Sequence, residues 1–174
     1  MSFRSSRSHL RLRDCHYSHS NRREMLVVID LQEYYLPEFQ EDQERFDKLI
    51  GKLSARIRQA KEEEEIIVNL TCFEDGCTLP QVLEMGEGYK HRHFLAKCDF
   101  DGSNSLHGFI NSRKLLPEKI ELCGAFMDVC VLDTWKGLRK LGYDVAPVDE
   151  SLTICTPSNW REIKGYPKGY LRKE

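Results

Sequence analysis

The sequence predicts an α/β fold, with a doubly wound parallel sheet and helices on both faces in three layers. Short apolar runs alternate along the chain with amphipathic segments, which is the order that parallel strands and crossover helices produce. The first run, residues 25–30, reads MLVVID and is closed by an acid, as expected of a strand buried on both faces. In such sheets, functional side chains collect at the carboxyl ends of the strands.

A surface helix is predicted over residues 41–61. Its apolar residues recur at spacings of three and four within a heavily charged background, which is typical of a helix with one buried face. These residues are Phe46, Leu49, Ile50, Leu53 and Ile57.

Further strands are predicted at residues 65–70, 93–97, 119–124 and 143–150. The last contains Pro147, which has no N–H group, so this strand is expected at an edge or in an irregular ladder. A second amphipathic helix covers residues 128–142 and stops at Gly142.

Composition limits the class of protein. The chain has 174 residues, 40% of them hydrophobic, which fits one domain. Its formal net charge of −2 gives no strong electrostatic potential that would attract nucleic acid or membranes. No apolar run approaches the roughly 18 residues of a membrane span. We therefore expect a small-molecule ligand, no nucleic acid and no membrane.

The domain is predicted to span residues 25–174, after a basic tail rich in serine and arginine at residues 1–24. We interpret the tail as flexible, because it cannot bury enough apolar surface to offset its ordering entropy. Organelle targeting is the second interpretation. The seven cysteines are odd in number and no hydrophobic signal segment opens the chain, which favours free thiols and a cytoplasmic location.

Three side chains follow predicted strand ends: Asp30, Lys97 and Cys130. A nucleophilic cysteine needs a pKa about 2 units below its usual 8.5. Cys130 falls in the first turn of the predicted helix, whose dipole contributes less than one unit. We expect Lys97 to stabilise the thiolate and Asp30 to accept the thiol proton, which together permit acyl transfer.

These residues resemble the isochorismatase-like cysteine hydrolases, which include nicotinamidases and N-carbamoylsarcosine amidohydrolase. The resemblance rests on VVIDLQ, on a lysine at the end of a middle strand, and on LCGAFMDVCVLDTWKGLRKLGYDV. It implies the same doubly wound sheet and an Asp-Lys-Cys triad.

The resemblance makes Cys130 the nucleophile, Asp30 the general base and acid, and Lys97 the charge that holds both. It also implies a cis peptide between Ala125 and Phe126, and an oxyanion site formed by the backbone N–H groups of Phe126 and Cys130. Family members commonly form dimers or tetramers, so it implies a homo-oligomer as well.

The sequence departs from the metal-dependent nicotinamidases after the second strand. Where those have T-x-D-x-H, this chain reads TCFED, with Phe73 and Asp75 at the ligand positions. We therefore predict no metal and no cofactor. A weaker possibility, a metal held by two cysteines and two histidines, lacks a zinc-like spacing; its members would be Cys72, Cys77, His91 and His93.

Four residues near the predicted strand ends are candidates for the substrate pocket. They are Gln32, Tyr34, Tyr35 and Phe100. The favoured function is metal-independent hydrolysis of the C–N bond of a small amide or ureide through a cysteine thioester. Two alternatives stay open: a non-catalytic interaction or oligomerisation module, and an isochorismatase-type hydrolase of a vinyl ether C–O bond.

Overall fold

A five-stranded sheet, parallel at every pairing, forms the centre of the computed structural model, which describes residues 22–156 and 167–172. The strand order is β3-β2-β1-β4-β5. The strands are β1 (Arg22–Ile29), β2 (Ile66–Cys72), β3 (Arg92–Lys97), β4 (Leu116–Ala125) and β5 (Thr153–Ile154).

Helices cover both faces of this sheet, as predicted. They are α1 (Leu36–Gln40), α2 (Gln43–Glu62), α3 (Pro80–Met85), α4 (Ser103–Arg113) and α5 (Leu132–Lys140). Side chains from α2 and α3 share one apolar core with the sheet, and side chains from α4 and α5 share the other. The three-layer α/β prediction is confirmed.

Strand β1 lies at the centre and sends alternate side chains into the two cores. Val27 and Ile29 face α4 and α5, whereas Leu26 and Val28 face α2. All four are at most 2% exposed, which explains why the run reads as continuously apolar.

Helix α2 confirms the helix predicted from the three-and-four spacing. Its predicted apolar positions are buried except for Ile50, which is half-buried. The helix begins after Asp42, whose Oδ1 accepts a hydrogen bond from the N–H of Arg45 at 3.0 Å, as an N-cap residue does.

The strand predicted over residues 143–150 does not form. Val145 makes one isolated bridge with Ile120, and Val148 makes another with Leu171. Pro147 lies between them and has no N–H to continue a ladder, so the chain leaves the edge of β4 there. The fifth strand is instead the two-residue β5.

The amino-terminal boundary also differs from the predicted strand. Strand β1 begins at Arg22, where Arg22 pairs with Leu116 ahead of a bulge. The rest of the predicted tail, residues 1–21, lies outside the described residues, as does Cys15. Within the described ranges, no helix is long and apolar enough to cross a membrane.

Candidate active site

Asp30 lies immediately after β1, at the carboxyl edge of the sheet. Its N–H continues the ladder by donating to the carbonyl of Leu70 at 3.0 Å. Its backbone is left-handed, with φ of 48°, a conformation that is costly for residues other than glycine and that often marks functional sites. The side chain is 0% exposed, and Oδ1 accepts a hydrogen bond from the N–H of Cys72 at 3.1 Å.

Lys97 ends β3 and reaches across β2 to Asp30. Its Nζ lies 2.8 Å from Asp30 Oδ2 and donates to the carbonyl oxygen of Asp99, also at 2.8 Å. Lys97 is 2% exposed, so the two charges form a buried ion pair. Gly102 opens space for the lysine, because a Cβ there would lie 2.2 Å from Leu70 Cδ2 and 3.2 Å from Lys97 Cδ.

Cys130 lies in a π-helical turn, Met127–Val131, that leads directly into α5. The N–H of Val131 donates to the carbonyl of Phe126, five residues back, at 3.0 Å. Cys130 therefore occupies the first helical turn, as predicted, but in the wider π form that is frequent at functional sites.

Two later segments hold this turn in place. Thr156 donates to Asp128 through its N–H at 2.8 Å and its hydroxyl at 2.6 Å. The Tyr170 hydroxyl donates to the carbonyl of Met127 at 2.6 Å. The turn that carries Cys130 is thus held by residues 28 and 43 positions away from their partners in the chain.

A cis peptide joins Ala125 to Phe126 just before the turn, at the position that the resemblance implies. The preceding Gly124 has φ of 108°, and a Cβ there would lie 2.2 Å from the carbonyl oxygen of Ile29. Glycine thus lets the end of β4 approach β1. The backbone N–H of Phe126 favours the thiolate of Cys130 and so acts to lower the pKa of that thiol.

Cys130 lies close enough to Asp30 for the two groups to shift each other's pKa, and Asp30 contacts Lys97, so the three predicted residues lie together at one edge of the sheet. Burial raises the pKa of Asp30 above its usual value, although Lys97 opposes this shift. Burial lowers the pKa of Lys97, but the charge and hydrogen bond of Asp30, with smaller contributions from Cys130 and Cys72, together outweigh it and the net direction is upward. Lys97 is therefore protonated at neutral pH.

The expected fall in the pKa of Cys130 is wrong for this resting arrangement. Burial raises the pKa of the thiol to about 12, and the negative charge of Asp30 adds to that effect, while Lys97 and the N–H of Phe126 oppose it. Lys97 and the helix dipole, on which the expected fall depended, do not offset burial and the charge of Asp30. Cys130 is thus a resting thiol close to the carboxylate of Asp30.

Gln32, predicted as a pocket residue, is committed to the backbone of the loop after β2. Its Nε2 donates to the carbonyls of Cys72 at 3.0 Å and Gly76 at 2.8 Å. Its Oε1 accepts from the N–H of Cys72 at 2.8 Å. Because Gln32 is 0% exposed and both its Nε2 and its Oε1 are hydrogen-bonded to the backbone, it fixes the loop rather than contacting a ligand.

The three aromatic candidates divide into two kinds. Tyr34 and Phe100 are 63% and 62% exposed, so they do not line an enclosed pocket. Tyr35 is half-buried, and its ring meets that of Phe126 edge to face at 5.1 Å. Its hydroxyl donates to Asp75 Oδ2.

The donor set does not fit the metal site of the nicotinamidase pattern. Phe73 has no ligand atom and is 79% exposed, and Asp75 is bonded to Tyr35. The Cys72, Cys77, His91 and His93 set is separated too, because His93 pairs with Val68 and Cys72 with Lys97, four steps farther along the ladder. No metal-binding group of three or more candidate ligands occurs among residues 22–156 and 167–172.

Several features of the site were not predicted from the sequence. These are the N–H of Cys72 on Asp30, the carbonyl of Asp99 on Lys97, and the Tyr35–Asp75 pair. Only the last left a signal, since Asp75 stands where the metal-dependent pattern has histidine. A groove of about 370 Å³ lies elsewhere, between α2 and residues 150–153, and it contains none of the triad.

Comparison with known proteins decides the family. A model described as the isochorismatase domain matches residues 24–162. The chain belongs to this family. Members and structural neighbours are hydrolases, so the isochorismatase-like hydrolase prediction is confirmed at that level. Comparison with curated protein sequences gave no match.

Solved structures of the same fold carry different activities. A nicotinamidase from Staphylococcus aureus superposes with a TM-score of 0.63 and 18% identity, over 79% of this chain and 85% of that one. An N-carbamoylsarcosine amidase from Thermoplasma acidophilum gives 0.60 and 16%, over 82% and 99%. A ribonuclease from Caenorhabditis elegans gives 0.60 and 21%, over 75% and 64%. At these identities the likeness shows the fold alone.

Proposed function

We propose that this chain is a metal-independent cysteine hydrolase that cleaves the C–N bond of a small amide or ureide. The observation that carries the proposal is the connected group at the carboxyl edge of the sheet. Asp30 contacts Lys97 at 2.8 Å, and Cys130 is close enough to both for their charges to act on the pKa of its thiol.

The reaction begins with proton transfer from the thiol to Asp30 as the Cys130 sulfur attacks the substrate carbonyl carbon. The pKa of the Cys130 thiol and the pKa of Asp30 are both raised. The thiol proton therefore passes to Asp30 during the attack, and no free thiolate forms beforehand. Lys97 stabilises the negative charge that moves between the two groups. The N–H groups of Phe126 and Cys130 receive the developing oxyanion.

Collapse of the tetrahedral adduct breaks the C–N bond, and Asp30 returns its proton to the departing amine. A thioester then joins the acyl group to Cys130. Asp30 next deprotonates a water that attacks this thioester, and the released sulfur regains a proton from Asp30. The cycle consumes one water and restores the thiol.

The C–N assignment is preferred to a vinyl ether C–O reaction because Cys130 is placed against its base. Isochorismatase-type hydrolysis can dispense with the cysteine, so it gives no reason for this contact. The proposal includes a small-molecule substrate and a homo-oligomer, the latter tested by the mass of the purified chain in sedimentation.

The proposal is tested by measuring ammonia release from a panel of small primary amides and ureides. We expect turnover of at least one compound by the wild-type chain and none above background by Cys130→Ser, which keeps the size of the side chain. Cys155→Ser is the matched control, because Cys155 is also a buried cysteine. Equal ammonia release by the wild-type and Cys130→Ser chains would refute the proposal and leave the interaction module as the better account.

A further inference from the structure

A second carboxylate stands beside the triad and has no role in the chemistry proposed above. Asp75 lies in the loop after β2, three positions beyond Cys72, whose N–H donates to Asp30 Oδ1 at 3.1 Å. The N–H of Phe73 in the same loop donates to the carbonyl of Lys97 at 3.1 Å. The loop that carries Asp75 is therefore attached to both charged members of the triad.

The position of Asp75 is fixed from two directions. Gln32 holds the loop through the carbonyls of Cys72 and Gly76, and the Tyr35 hydroxyl donates to Asp75 Oδ2. Tyr35 in turn packs against Phe126 with ring centroids 5.1 Å apart. Burial raises the pKa of the Tyr35 hydroxyl, and the charges of Asp30, Asp75 and Cys130 add to this shift, so Tyr35 joins Asp75 to the triad electrostatically.

The charges at this edge do not balance. Lys97 is paired with Asp30 at 2.8 Å, and no described lysine, arginine or histidine forms an ion pair with Asp75. One negative charge is therefore left on a half-buried residue of the loop that is attached to Asp30 and Lys97, where charges interact more strongly than in bulk water.

We propose that Asp75, held by Tyr35, is a specificity residue that selects amides or ureides whose far end is cationic or donates hydrogen bonds. The inference rests on the proposed function and adds the substrate class. Substrates whose far end is a carboxylate are disfavoured, because no second cation is present among the contacts of this edge to offset Asp75.

Charged thiol reagents test this electrostatic selection without knowledge of the substrate. The reagents are 2-aminoethyl, 2-sulfonatoethyl and methyl methanethiosulfonate, which are cationic, anionic and neutral. In each case the Cys130 sulfur attacks the sulfenyl sulfur, a disulfide forms, methanesulfinate leaves and the thiol proton passes to Asp30. Peptide mass spectrometry at low ionic strength gives the rate at Cys130 for each reagent.

The variant Asp75→Asn removes the charge and keeps an oxygen that accepts from Tyr35. We expect it to lower the ratio of cationic to anionic rates at Cys130 by about tenfold, with the neutral rate unchanged. The matched control is Glu74→Gln, which makes the same charge change at the exposed neighbouring residue and should alter the ratio by less than about twofold.

Each other result overturns the inference. If both variants change the ratio equally, Asp75 only contributes to the general surface potential. If Asp75→Asn slows all three reagents alike, its role is structural. Ammonia release without any preference among 4-aminobutanamide, pentanamide and glutaramate would retain the proposed function and remove the inference, whereas a Cys130 that no reagent modifies would refute both.

Discussion

Two buried ion-pair groups occupy opposite ends of the sheet. At the carboxyl end, Lys97 pairs with Asp30 at 2.8 Å. On the α2 side, toward the amino ends of the strands, Arg56 contacts Glu65 at 2.7 Å and Glu121 at 2.9 Å. Both groups are largely removed from water, and both contain a carboxyl whose pKa is raised by burial.

The difference lies in what surrounds the charges. The Arg56 guanidinium bridges two carboxylates, donating from Nε to Glu121 at 2.9 Å and from Nη2 to Glu65 at 2.7 Å, which ties α2 to the sheet. The Asp30–Lys97 pair instead lies close to a thiol, and its charges act on the pKa of Cys130. A shifted pKa in a buried pair therefore does not identify an active site. We propose that the neighbouring Cys130 distinguishes the Asp30–Lys97 pair from the Arg56 group.

The largest expected contrast is in turnover. Asp30→Asn removes the proton acceptor, and we expect kcat for amide hydrolysis to fall by about 10³-fold or more. Arg56→Met should leave kcat per folded molecule within about twofold of the wild-type value, because Arg56 belongs to the ion-pair group with Glu65 and Glu121 and not to the triad. Circular dichroism provides the folded fraction of each variant. A loss of kcat in Arg56→Met as large as that in Asp30→Asn would contradict this division of roles.

The next contrast is in stability. Arg56→Met leaves Glu65 and Glu121 without their main cation, so we expect the free energy of unfolding to fall by about 3 kcal/mol. Arg172 lies 3.6 Å from Glu121 and limits the loss. Urea denaturation measures the change, and the triple variant Arg56→Met, Glu65→Gln, Glu121→Gln should recover part of it. No recovery would mean that unpaired charge is not the cause.

The sequence supported the triad because each member follows a local pattern. Asp30 follows a continuously apolar run, Lys97 follows the shorter apolar run of residues 94–96, and Cys130 opens a helix with regular periodicity. Parallel topology then brings those ends to one edge without further information.

The remaining features depend on distant neighbours. The sequence suggested that Gln32 lines the pocket, because its hydrogen bonds to the loop after β2 exist only in the folded chain. Pro147 indicated an irregular strand but did not indicate where β5 lies. The pKa of Cys130 was misjudged in sign, because burial and the contact with Asp30 exist only in the folded chain. Single-residue patterns place chemical groups, but the electrostatics of a site depend on how those groups are packed.

The most direct test of the account is the rate of Cys130 alkylation by iodoacetamide as a function of pH. In the wild-type chain the raised pKa of the thiol predicts a rate that grows about tenfold per pH unit between about pH 7 and 10, without a plateau. In Asp30→Asn the charge that raises this pKa is gone while Lys97 remains, so the profile should shift to lower pH even though turnover is lost. A wild-type plateau below about pH 7, or a profile unmoved in Asp30→Asn, would contradict a resting thiol that gives its proton to Asp30.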